Sequence, residues 1–142
     1  MAGLKVRQPV PLSVLDRVFT LSPLSLREEL TLDAFHRKNI KRGQVYADMK
    51  DVLAKAAPEH RSTILAEITK IEAGGSPAAM QESQMSPEGV AFELWMRAKK
   101  ADPTLSLKEL QAVITEANNY EVYEAMWEAL KEQEDSKSAE SE

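Results

Sequence analysis

The chain of 142 residues contains no cysteine and only two histidines, and its five glycines are scattered. The missing cysteine excludes disulfides, thiolate metal sites and a cysteine nucleophile together, and it fits a reducing compartment. No stretch approaches the roughly 20 consecutive apolar residues that a membrane span needs. The opening "MAGLKVRQPVPLSVL" is basic, but Pro9 and Pro11 interrupt it before an apolar run develops. It makes a poor signal peptide, so the expected location is cytoplasmic. There is no glycine-rich phosphate loop either, since "AGGSP" lacks the lysine of a P-loop and reads as a helix stop. Basic charge is also short. A formal net charge of −5 argues against a general nucleic-acid coat, because affinity for phosphates needs a basic face.

What is present is the composition of one soluble domain. An apolar fraction of 43% and a charged fraction of 29% suffice for a single core, and the length does not call for two. The fold class expected is all-α, with about six short amphipathic helices in a compact bundle. Residues 1–130 form the domain, and within it residues 1–11 read as an extended arm, because two prolines remove two backbone donors. "SVLDRVFTL" fits a short helix or a strand equally well: Val14, Leu15, Val18 and Phe19 have helical spacing, yet the segment is rich in β-branched residues.

Helix grammar is clearer beyond Pro23. Ser25 with Glu28 makes a capping box, and Leu26, Leu30 and Ala34 line one face of the helix that follows. Val45, Met49, Val52, Leu53 and Ala56 form a second stripe, and Ile64, Leu65, Ile68 and Ile71 a third, which Gly74 and Gly75 end. Residues 74–86 are small, polar and aperiodic, and read as an internal mobile linker. Ser86 and Pro87 start a helix with Val90, Leu94, Trp95 and Ala98 on its face. After Pro103, another begins at Thr104 or Ser106, with Glu109 completing a capping box, and Tyr120, Tyr123, Met126, Trp127 and Leu130 mark the last stripe. Residues 131–142 have no apolar side chain larger than alanine and read as a disordered acidic tail.

No catalytic constellation emerges, so neither an enzyme nor a metal or cofactor site is expected. His36 and His60 sit among charged residues and read as solvated. Glu28 and Glu29 are adjacent and point different ways on a helix, unlike the paired carboxylates of acid–base chemistry. Arg37, Lys38, Lys41 and Arg42 are the candidate basic patch. Four cations could neutralise a few phosphates, but they also suit a helix C-terminus and have no interleaved aromatic residues. The aromatic stripe of Trp95, Tyr120, Tyr123 and Trp127 reads as core, with part of it left as an interface anchor.

Two stretches resemble a known family. "ELWMRAKKADP" followed at once by "TLSLKELQAVI" is similar to a pattern in the tail assembly chaperones of long-tailed bacteriophages and prophages, matched here by Leu94, Trp95, Arg97, Pro103, Thr104, Leu107, Glu109 and Leu110. "TLSPLSLREEL" resembles a stretch near the start of many such proteins, through Leu21, Pro23, Leu24, Ser25, Arg27 and Glu28. Together they cover roughly a quarter of the chain. The resemblance implies a non-catalytic helical adaptor of viral morphogenesis that binds the tape-measure protein and tail-tube subunits. It would act in the bacterial host cytoplasm, be absent from the mature virion, and self-associate. On that reading the expected contact residues are Leu94, Trp95, Tyr123 and Trp127 towards the C-terminus and Leu15 and Phe19 before Pro23. The rival expectation is a nucleic-acid-associated regulator using residues 37–42.

Overall fold

A computed structural model describes residues 8–140, with side chains described through residue 131. It opens with a hairpin: β1 (Val10–Val14) pairs antiparallel with β2 (Arg17–Leu21), Val14 opposite Arg17. Leu12, Val14, Phe19 and Leu21 are buried, whereas Ser13, Val18 and Thr20 face outward. That period-two alternation settles residues 12–14 and 17–20 as strand, because Val18, which the helical reading needs inside, lies outside. Leu15 and Asp16 form the turn at φ 55° and 57°, the left-handed region that a two-residue hairpin of this twist demands. Of the expected N-terminal arm, residues 10 and 11 belong to β1, and residues 1–7 lie outside the described residues.

Seven α-helices follow among the described residues, against the six expected: α1 (Leu26–Asn39), α2 (Gln44–Lys55), α3 (Arg61–Glu72), α4 (Pro77–Met85), α5 (Pro87–Ala98), α6 (Leu107–Val113) and α7 (Asn119–Glu140). Short 3₁₀ turns over Ile40–Arg42 and Pro58–His60 lead into α2 and α3. Both capping boxes form: the Ser25 hydroxyl accepts the Glu28 N–H at 3.2 Å, and the Ser106 hydroxyl accepts that of Glu109 at 3.1 Å.

The additional helix is α4, in place of the mobile linker. α3 ends in a Schellman pair, Gly75 N–H to the Lys70 carbonyl at 2.8 Å and Gly74 N–H to that of Ile71 at 2.9 Å, with Gly74 at φ 81°. Ser76 then caps α4 and Pro77 supplies its first residue. α4 has no large apolar stripe because it lies close to its neighbours through the small residues Ala79 and Ser83. Close approach also explains Gly89, whose missing side chain makes room for the Ser83 carbonyl oxygen.

α1 presents the other correction. Leu26 and Leu30, expected on its buried face, are 72% and 62% exposed, and Ala34 is exposed too. The inward face carries Leu32, Phe35, His36 and Asn39, because the polar members of that set find polar partners on α4 and Phe35 stacks on Phe92 of α5 at 4.2 Å. α1 is pinned to the end of α5 by Lys100, which donates to the Pro23 carbonyl at 3.0 Å and reaches the Glu28 carboxylate at 2.7 Å. Burial opposes ionisation of Glu28. The hydrogen bonds from Lys100 and Ser25, with the Lys100 charge, outweigh it and lower the carboxyl to about 2.

The main core gathers the inner face of the hairpin, α5, α6 and the first half of α7 around Leu21, Val90, Leu94, Leu110, Val122 and Met126. A smaller cluster of Ile40, Ile71 and Ala79 ties α2 and α3 to α4, and α2 itself has no buried residue. α7 continues to Glu140, so its backbone runs through much of the segment read as an acidic tail. The side chains of residues 132–140, and residues 141–142 entirely, lie outside the described residues. No helix among those described is long and apolar enough to cross a membrane.

Gly89→Ala should destabilise the protein by about 2–3 kcal/mol, although alanine is the better helix former, because its methyl meets the Ser83 carbonyl. Denaturant titration checks the sign: a gain in stability would mean that α4 does not approach α5 this closely.

Candidate functional site: a groove between α1 and α7

The sequence-expected contact residues separate in the fold. Leu94 and Phe19, 0% and 4% exposed, are core side chains and no surface for a partner. Their stripes are broad enough to be surrounded by the other elements, which spacing alone did not reveal. Leu15 is half-buried in the hairpin turn. Trp95 is half-buried and donates its indole N–H to the Leu105 carbonyl at 3.2 Å, with the Lys99 ammonium 4.3 Å from its ring centre. It staples the α5–α6 connection, which explains a tryptophan beside the Pro103 break. Tyr123 and Trp127, by contrast, come together on α7, and Trp127 is 52% exposed with Lys131 5.0 Å above its ring.

These two residues form one wall of a groove. α1 and α7 each pack on α5, and α4 touches all three. Two hollows result, and both are bounded by Gln84, Glu93 and Arg97. The hollow of about 240 Å³ is walled by Tyr123, Met126, Trp127 and Leu130 of α7. The hollow of about 210 Å³ lies on the α1 side, with Leu24, Leu32 and Met80 beside Glu29, Asp33 and His36. Each is smaller than the roughly 300 Å³ at which small-molecule sites begin, and suits one large side chain of a partner. The floor residues form an ion pair: the Arg97 Nε donates to Glu93 at 2.9 Å, both side chains 16% exposed.

The α1 wall is held by a polar network that sequence reading missed. His36, read as solvated, is 3% exposed, with Nδ1 2.7 Å from the Ser83 hydroxyl. Asn39 donates its amide to Ser83 at 3.0 Å and to Ser86 at 3.2 Å, while the Ser86 hydroxyl donates to the Ser83 carbonyl at 2.7 Å. With one proton and two acceptor lone pairs, the Ser83 hydroxyl can accept from Asn39 and serve His36 Nδ1 as donor or acceptor. Nε2 has no hydrogen-bond partner among the described residues. Burial lowers the His36 pKa, against the opposing charges of Glu93 and Asp33. A signal was available in principle: His36 and Asn39 fall one turn apart on the same helix face as Leu32 and Phe35.

A wider cleft of about 600 Å³ opens between α2, α4 and the start of α7 beside Tyr120. Two of its polar groups are already engaged, Glu82 accepting the Val45 N–H at 3.2 Å where α2 lacks a side-chain cap, and Asn119 donating to the Met85 carbonyl at 2.6 Å. The basic patch stays on the surface. Arg37 is paired with Asp33 at 2.8 Å and lies against Gly74, while Lys38, Lys41 and Arg42 are exposed without an ion pair among the described residues. Among the described residues, no group of three or more His, Asp or Glu is placed to hold a metal ion. Comparison with protein-family models, with curated proteins and with solved structures gave no match.

His36 gives this wall a pH dependence. Its pKa is lowered on folding, so the unfolded chain takes up the proton first and stability falls as pH drops below about 6.5. Denaturant midpoints between pH 7.5 and 5 should fall more steeply for the native chain than for His36→Leu. Equal slopes would place His36 in contact with water.

Proposed function

We propose that the protein is a non-catalytic adaptor that holds an apolar helix of another protein in the groove between α1 and α7. The observation that carries this reading is the half-exposed Trp127 beside Tyr123 and Leu130, on the rim of a hollow of side-chain size. Tryptophan is costly to leave in water, and it is favoured where a partner's side chain completes its burial. A groove that offers two side-chain hollows over a neutralised floor fits helix-in-groove recognition. The two short stretches that resemble phage tail assembly chaperones give that general role a particular form. In it the client is the long helical tape-measure protein, with tail-tube subunits as further partners, and the adaptor is not retained in the virion. The same reading includes self-association, for which Val18, Leu26, Leu30, Val52, Leu65 and Val113 are the large aliphatic side chains left exposed among the described residues.

The rival reading, a nucleic-acid-associated regulator, rests on Lys38, Lys41 and Arg42 with Arg37 beside them. One cation of the four is internally paired, and no aromatic ring is interleaved with them.

Co-expression with the longest helical polypeptide encoded alongside this protein separates the two. The adaptor reading expects that polypeptide to stay soluble and to co-purify with the native chain. Trp127→Ala should weaken the complex by about 2 kcal/mol, or roughly thirtyfold in Kd, and changing Lys38, Lys41 and Arg42 to Glu should leave it intact. Salt-sensitive retention of nucleic acid, lost in the Glu variant, would favour the rival.

A further inference from the structure

We infer that the groove selects a helix with a basic edge, and that it takes this helix in one lateral orientation. The inference rests on the adaptor reading and adds the chemistry of the partner. The two walls differ in kind. The α7 wall is apolar and aromatic, and its outer end carries the Lys131 ammonium over Trp127. The α1 wall brings Glu29 and Asp33 to the opposite hollow, next to Glu93 on the floor. Three carboxylates thus meet one guanidinium within the lining of that hollow. Arg97 neutralises Glu93 and Arg37 neutralises Asp33, which leaves Glu29 exposed and without an ion pair among the described residues.

An amphipathic helix lying over α5 would set its apolar stripe on Tyr123, Trp127 and Leu130. One flank would then run along α1 and the other along the Lys131 side. Lysine or arginine on the α1 flank meets Glu29, whose charge no ion pair offsets among the described residues. On the other flank it meets Lys131, whose repulsion the exposed Glu124 and Glu128 of α7 reduce, without the apolar hollow that Glu29 borders. A helix with acidic residues on the α1 flank would face Glu29 with like charge. Partially desolvated charges at the margin of an apolar contact contribute modestly to affinity and strongly to which partner and which orientation is accepted.

Two synthetic helical peptides with the same leucine stripe test this, one flanked by lysine and the other by glutamate. Binding to the full chain is read by fluorescence anisotropy at low and physiological salt. The lysine-flanked peptide should bind about fivefold more tightly at low ionic strength, and the advantage should shrink as salt rises. Glu29→Lys should reverse the preference and Glu29→Gln should remove most of it. Lys131→Glu should not substitute for either change, and Trp127→Ala should weaken both peptides equally. Equal affinity of the two peptides, or an unchanged preference in Glu29→Lys, overturns the basic-edge inference while the groove reading stands, provided Trp127→Ala still weakens binding. Failure of both peptides to bind overturns the inference together with the groove reading.

Discussion

The burial of α5 sets the terms for everything around it. Val90, Ala91 and Leu94 are fully enclosed, and the hairpin, α1, α4, α6 and α7 all pack on this one helix of twelve residues. So many neighbours can approach only where side chains are small, which accounts for Gly89, Ala91 and Ala98 on its surface. The strip occupied by Glu93 and Arg97 is less completely covered than the core face. Their mutual ion pair lets that strip be half-enclosed without leaving a charge unsatisfied, and it becomes the floor of the groove.

The walls are built by unlike means. The α7 wall is an ordinary apolar face whose outer edge, Tyr123 and Trp127, continues past the core. The α1 wall depends on hydrogen bonds from His36 and Asn39 to Ser83, with the aromatic stack of Phe35 on Phe92 beneath. α4 closes one end of the groove and is held both by that polar network and by Ala79 against Ile40 and Ile71. The shape of the groove is thus coupled to whether His36 stays neutral and buried.

Much of the helical framework was legible because termination and initiation are local. Ser25 with Glu28, Ser86 with Pro87, Ser106 with Glu109, and the pair Gly74–Gly75 each announce themselves within four residues. The hairpin was ambiguous because its turn uses Leu15 and Asp16, with none of the glycine or asparagine that marks such turns. α4 was invisible for a different reason: its buried positions are the small Ala79 and Ser83, so no period of large hydrophobic residues exists to find. α1 misled in the same way, since leucines at 26 and 30 outweigh a histidine and an asparagine in any apolar count. Of the candidate contact residues, Tyr123 and Trp127 reach the surface, but which members of an aromatic stripe lie inside depends on what packs over them, a tertiary matter that spacing cannot carry. The groove, made by three helices distant in sequence, had no local signature at all.

The most direct measurement of the central claim is site-specific photo-crosslinking in cells that co-express the proposed helical client. A benzophenone amino acid would replace Trp127 in one chain and Lys38 in another, and the crosslinked products would be sequenced. The groove account predicts efficient capture of a client helix from position 127 and little from position 38. Capture confined to position 38, of nucleic acid or of protein, would contradict it.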